Sequence, residues 1–271
     1  MRFRFLSTRW RVTILILFLF AFGIAVYAYQ IEPFNIEVTR HQIAAPIHSP
    51  VKIAHLSDLH TYGIGRREQK MLAILEQEKP DLIVITGDLI SDANGYAGCL
   101  DVLKRLQAPL GVWVVVGNHE NWAARDMKKI YGKFKDYYES AGANFLFNSN
   151  MKIRDDLWLI GLDDAMTGKP EVDKAFMGVP ENAYKVTLFH SPASFDEVAG
   201  KCDLAFAGHS HGGQVRLPFI KPIWLPAKCG EYDEGWFERN DSKMYVGRGL
   251  GTSLLPIRFN CRPEIAIITL G

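Results

Sequence analysis

Apolar positions along the chain follow three patterns, and each predicts a different kind of element. Residues 12–29 (VTILILFLFAFGIAVYAY) are uncharged and mostly apolar, at the lower length limit for a helix that crosses a bilayer. Residues 66–78 place Met71, Leu72 and Leu75 at helical spacing on one face. Short β-branched runs over 51–60, 82–88 and 112–116 read as strands buried on both faces. A second helix is expected over 98–107, and the alternation over 34–38 predicts an edge strand. Strand, helix, strand, helix, strand argues an α/β architecture with parallel strands. A long charged helix over 123–140 should follow, then strands over 157–161, 185–189, 203–207, 243–246 and 264–270. Few long helices separate these later strands, so their sheet should be mixed. Two mixed sheets packed face to face with helices outside suit the whole.

The strands do not end in ordinary turns. Residues 112–116 run into Gly117, Asn118, His119 and Glu120; the earlier strands end in Asp58, His60 and Asp88; the later ones run into His190 and into GHSHGGQ over 208–214. Parallel strands align their carboxyl ends, where open α/β folds place their sites. Asp58, His60, Asp88, Asn118, His190, His209 and His211 form an oxygen and nitrogen donor set without a thiolate. Such a set suits Mn, Fe or Zn rather than a structural zinc cage. Seven donors exceed what one tetrahedral ion needs, whereas two ions sharing one carboxylate use them all. Asp58 with His60, and His209 with His211, are i, i+2 pairs; in extended backbone each pair faces one side. A single His-x-His is commonly a solvated strand face. Several donor pairs at successive strand ends are a different matter.

Composition adds limits. Among 271 residues, 31 Lys and Arg against 30 Asp and Glu leave a net charge of +1, which offers no electrostatic case for nucleic acid. Cys99, Cys202, Cys229 and Cys261 form no CxxC pair and read as small apolar packing residues, with oxidation left open. Arg2, Arg4, Arg9 and Arg11 precede the apolar run, whereas Arg40 is alone in the twenty residues after it, so the remainder should lie outside the cytoplasm. Val26 and Ala28 also fit a signal-peptide cut, but the run is long for a signal core, which favours a retained anchor. The chain is thus divided into a basic terminus over 1–11, a membrane helix over 12–29, a tether with the first edge strand over 30–50, and a catalytic domain over 51–271.

The blocks Asp58-Leu-His60, Gly87-Asp88, Gly117-Asn-His-Glu120, His190 and Gly208-His-Ser-His211, in that order, resemble the calcineurin-like metallophosphoesterase superfamily. His209–Gln214, Arg248–Ser253 and Arg258–Cys261 resemble its membrane-associated bacterial phosphodiesterase branch. The resemblance implies a four-layer αββα fold and two divalent ions, manganese first, with iron or zinc as alternatives. Asp58, His60 and His211 would hold one ion and Asn118, His190 and His209 the other, with Asp88 bridging. Two ions about 3.5–4 Å apart clamp a phosphoryl group and supply a bridging hydroxide for in-line attack. His119 is then the candidate general acid, with a role in orienting a ligand as the alternative.

Some positions depart from that pattern or stay open. An Asp that supports this histidine in many relatives is replaced by Ser91, with Asp92 next to it. Glu120 is expected to be structural. Asp163 and Asp164 are loop carboxylates, and His41, His48 and His55 read as packing or surface residues. The apolar loop over 218–226 (PFIKPIWLP), with Trp122, Trp236 and Phe237, either walls the site or packs between the sheets. Together with the anchor, a wall would suit a lipid or lipid-linked phosphodiester or pyrophosphate. Competing readings are a phosphomonoesterase or nuclease on the same site, and a non-catalytic metal-binding scaffold. Oligomeric state is not legible.

Overall fold

Strands buried on two faces need a partner layer on each, and period-two alternation sorts their side chains between the layers. The structure, a computed structural model, describes residues 8–126 and 133–271. Strands β1 (Glu37–Ile43), β2 (Val51–Leu56), β3 (Leu82–Thr86), β4 (Val112–Val115) and β5 (Asn144–Phe145) belong to a first sheet. A second sheet holds β6 (Ser149–Arg154), β7 (Leu157–Gly161), β8 (Tyr184–Leu188), β9 (Leu204–Ala207), β10 (Gly235–Arg239) and β11 (Ser242–Val246). The last strand, β12 (Glu264–Leu270), returns to the first sheet between β1 and β2.

Both sheets are mixed. The run β2–β3–β4–β5 is parallel, while β12 is antiparallel to β2. In the second sheet β7, β8, β9 and β11 are parallel, and β6 and β10 pair antiparallel at its two edges. Ile53, Leu82, Val84 and Val115 face Leu159, Val186, Leu188 and Phe206 across the gap between sheets. Their neighbours Ala54, Leu56, Ile83 and Val114 point the other way, onto Met71, Leu75, Val102 and Tyr138. The helices there are α2 (Arg66–Glu78), α3 (Tyr96–Leu103) and α5 (Phe134–Glu139), so the expected layering is present.

Four differences from the sequence expectation have physical reasons. Helix α4 (Asn118–Asp126) starts five residues before the expected 123, because the acidic Glu120 in its first turn suits a helix N-terminus placed directly on the strand end. The long helix over 123–140 is therefore α4 and the separate α5, with residues 127–132 outside the described residues, as are Arg2 and Arg4. Strands β5, β6 and β10 were not expected; they are edge or short strands whose mixed polar sequences carry no buried run. The first edge strand is β1 rather than 34–38, since Glu32, Pro33 and Ile36 are buried against the domain.

The N-terminal helix α1 (Thr8–Val26) buries none of its residues, and its apolar span continues to Phe34. It runs through a wide turn, Tyr27–Ile31, straight onto the domain. The Ala28 carbonyl accepts the Arg258 backbone N–H at 2.9 Å, the Tyr27 ring meets Phe259 edge-on, and the buried Glu32 carboxylate accepts the N–H groups of Asn260 and Cys261. The stretch expected to begin a tether is a tight joint.

Candidate metal centre

Each candidate donor stands on a loop leaving a strand. Asp58 and His60 follow β2, Asp88 follows β3, Asn118 opens α4 after β4, His190 follows β8, and His209 and His211 follow β9. Asp58, His60, Asp88, His209 and His211 all have positive φ, between 45° and 68°. The i, i+2 pairs are thus not in extended backbone as expected; sharp left-handed turns aim them. Such backbone costs an L-residue roughly 1–2 kcal/mol. Loop-to-loop hydrogen bonds hold it: Asp58 N to Gly87 O and His60 N to Asp88 O, both at 3.0 Å. Glu120, fully buried, accepts the N–H groups of Asp88, Leu89 and Gly117 and so ties the β3 and β4 loops together, which gives it the structural part expected of it. At Gly117 a Cβ would lie 2.2 Å from Asp88 Oδ1, and at Gly208 1.8 Å from Ser57 Oγ, so both positions require glycine by close approach.

The structure brings all seven donors together, buried. Asp58, His60 and His211 have donor atoms within 4.8 Å of one another, and so do Asp88, His190 and His209. Asp88 Oδ2 lies 3.2 Å from His190 Nε2, 3.7 Å from His60 Nε2 and 4.0 Å from His119 Nε2, between the two groups. Its other oxygen accepts the His119 backbone N–H at 2.9 Å. Asn118 Oδ1 is 3.1 Å from His190 Nε2, and His211 Nε2 is 3.3 Å from Asp58 Oδ1.

Backbone carbonyls decide the tautomers. His190 Nδ1 donates to Thr86 O at 2.7 Å, and His209 Nε2 donates to Ala227 O at 2.8 Å. With those protons committed, the inward nitrogens, His190 Nε2 and His209 Nδ1, face each other at 3.0 Å as two lone pairs. They require a positive bridge, either a proton or a cation. Metal-ligating histidines are held in this way, the outer N–H on a carbonyl and the inner nitrogen on the ion. The donor chemistry therefore fits divalent ions.

Electrostatics point the same way. Burial, and then the Asp88 charge, push the Asp58 carboxyl up to about 6. Burial would raise Asp88 too, but the charge and hydrogen bond of His190 lead the interactions that outweigh it and hold Asp88 below the usual carboxylate range. Burial opposes charge on His190, yet Asp88 and Asp58 push it well above 6.5. Burial drives His60 down to about 3 and, with the His190 charge, His209 down to about 4. One shared proton thus balances two buried carboxylates only in part; divalent cations would displace that proton and complete the balance.

His119 is set apart. Its Nδ1 donates to the Ser91 backbone carbonyl at 2.7 Å, which leaves Nε2 facing the centre. That carbonyl takes the place of the missing supporting carboxylate. Asp92 is occupied elsewhere, accepting from Tyr62 Oη and Asn94 N, while Ser91 Oγ reaches His60 Nδ1 at 3.2 Å. A carbonyl partner has no side-chain signature, so sequence reading misses it. Asp163 and Asp164 brace their own loop, with Asp164 accepting from Ser191 Oγ, and neither lines the cavity. Buried Arg258 was also missed: its guanidinium donates to the carbonyls of Arg248, Gly251 and Cys261 and lies 3.4 Å from His211 Nδ1. The R-F-N-C block that contains it is the signal that could have found it.

A cavity of about 570 Å³ opens over the donors. Its walls include Trp122, Met166, Val215, Trp224, Leu254 and Leu255. Of the aromatic residues offered for a wall, Trp122 and Trp224 take part, whereas Trp236 packs on His41 and Tyr245, and Phe237 on Tyr232. The loop over 218–226 is not core between sheets, since Phe219, Ile223 and Trp224 are exposed. His55 is buried against Phe206 and bonded to Thr86, and the four cysteines are buried and free.

Comparison with known proteins agrees with this geometry. Residues 51–213 match the family profile of calcineurin-like phosphoesterases. The uncharacterized metallophosphoesterase YkuE of Bacillus subtilis (strain 168) is 32% identical over 260 residues, covering 90% of this chain and 88% of the relative. Phosphodiesterase YaeI of Escherichia coli (strain K12) is 29% identical over 254 residues, covering 90% and 92%. A Danio rerio protein described as a transmembrane protein with metallophosphoesterase domain is 28% identical over 240 residues, covering 81% of this chain and 53% of its own length. One solved crystal structure aligns with 73% of this chain and 90% of its own at 12% identity and a TM-score of 0.50, a likeness of fold alone.

Proposed function

We propose that this chain, which belongs to the calcineurin-like phosphoesterase family, hydrolyses phosphodiester or pyrophosphate bonds at a pair of divalent metal ions, manganese first and iron or zinc as alternatives. Asp58, His60 and His211 would hold one ion, and Asn118, His190 and His209 the other, with Asp88 shared. When bound, such ions draw charge from the phosphoryl oxygens and make hydroxide available near neutral pH. The supporting observation is the pair of inward lone pairs on His190 and His209, whose outer protons are committed to carbonyls.

The chain's own residues do the rest. Glu120 and the left-handed turns pre-set the donors, so little reorganises when a phosphoester arrives. His119 keeps Nδ1–H on the Ser91 carbonyl, so a proton on Nε2 is the one available to the leaving alkoxide. The apolar cavity wall suits a substrate with an apolar portion, lipid or lipid-linked. We assign α1 as a retained anchor with the domain outside the cytoplasm; the burial of Ala28 against the domain supports retention over a cut beside it.

Turnover of bis-p-nitrophenyl phosphate against p-nitrophenyl phosphate, with Mn²⁺ and with chelator, tests the activity. The diester should be the better substrate, and chelation or Asp88→Asn should abolish its turnover. Preference for the monoester would replace this reading with a monoesterase. Metal-independent silence on both would leave a scaffold. A nuclease has little support in a chain with a net charge of +1.

A further inference from the structure

Large apolar side chains stand in solvent around the cavity mouth. Phe219 is fully exposed and Leu254 is 85% exposed, with Ile220, Ile223, Trp224 and Leu255 beside them in sequence. Water-facing clusters of this size mark a surface that meets something apolar. Where they are rooted identifies the partner. Leu255 lies three residues before Arg258, whose N–H donates to the Ala28 carbonyl at the end of the apolar helix, so at most about 10 Å of chain separates them. The other loop is rooted on the neighbouring residue: Phe259 N donates to Gln214 O at 3.0 Å, and Arg216 N donates to Phe259 O at 2.8 Å. The Phe259 ring in turn meets Tyr27. Both apolar loops therefore grow from the segment that grips α1 where it leaves its span.

We propose that residues 217–224 and 254–255 are a second membrane contact, seated in the interfacial layer of the same bilayer leaflet that α1 exits, so that the cavity over the metal centre opens onto lipid. The partner is a phospholipid surface. The residue types agree: Phe219 and Trp224 join Tyr27 and Tyr29 as an interfacial aromatic set, and Lys221 lies among them with a stem long enough to reach headgroups. Apolar loops shallowly immersed beside an anchor bury their area at no added cost in tethering. A substrate held in that leaflet would reach the donors without leaving the bilayer. The inference depends on α1 spanning the bilayer and not on the phosphoester chemistry, so the two can fail separately.

The test uses the full chain in vesicles of phosphatidylcholine with brominated acyl chains. Single cysteines at Phe219→Cys, Phe20→Cys and Met177→Cys would carry a small fluorophore; the native cysteines are buried and all three positions are exposed. Unchanged thermal unfolding shows that each variant is folded. Labels at 20 and 219 should lose emission relative to unbrominated vesicles, and the label at 177 should keep it. A label at 219 that keeps its emission as 177 does would overturn the proposal, whether the loop sits in water or under a second copy of the chain. Unquenched emission at 20 would remove the anchor on which it rests.

Discussion

At the residue scale, His119 carries the sharpest consequence. Its Nε2 is free because Nδ1 is held by a main-chain carbonyl, and no side-chain substitution removes that partner. His119→Asn should lower the turnover of diesters with poor leaving groups by roughly 10²–10⁴-fold, the usual scale of a lost general acid, with a much smaller loss for activated aryl esters. Equal losses on both, measured as kcat/KM, would reduce His119 to an orienting part. Asp92→Asn should leave the leaving-group dependence as in the wild type, because Asp92 is engaged with Tyr62 and Asn94. The candidate donors and His119 were legible in sequence as the polar ends of apolar runs. What holds them was not: the carbonyls of Ser91, Thr86 and Ala227 are the same in any residue type.

At the element scale, strand β2 combines a buried run with a titratable side chain. Burial, opposed by the Glu264 charge, pushes His55 down to about 3. A base whose folded pKa lies below its unfolded value near 6.5 binds its proton in the unfolded chain first. Its contribution to stability is therefore complete above pH 6.5 and declines as pH falls towards 3, by up to about 1.4 kcal/mol per pH unit. Unfolding free energies of wild type and His55→Gln, measured between pH 7 and pH 4, should converge as pH falls; parallel curves would contradict a neutral buried His55. Elements were readable where one burial environment extended over several residues, as in α2, β7 and β12, whose bounds match the pattern. Edge strands β6 and β10 were missed because one face and one edge meet solvent and carry mixed residues. Helix α4 was placed late because Asn118, His119 and Glu120 looked like a terminus of a strand and are also the first turn of a helix.

For the whole molecule, the joint at Ala28, Glu32 and Arg258 links the apolar helix α1 to the loop behind His211. Orientation outside the cytoplasm is checked directly. A membrane-impermeant maleimide added to intact cells should label Met177→Cys, whereas labelling only after the cells are opened would reverse the topology. After a high-salt wash, full-length protein should remain with the membrane fraction.

By itself the sequence determined the layered α/β plan, the apolar helix, and the identity and order of the candidate donors that the fold brings together. These follow from burial, which imposes its periodicity residue by residue, and from parallel strands, which align their ends. Only the tertiary structure decided how those donors are aimed, by left-handed turns at Asp58, His60, Asp88, His209 and His211 that no short-range pattern encodes. It alone decided which nitrogens face inward, since that depends on carbonyls brought from distant strands. It also turned the loop over 218–226 out of the core and rooted it, through Gln214–Arg216 and Phe259, near the end of the apolar helix α1, a relation between segments more than 180 residues apart that contacts, not sequence, establish.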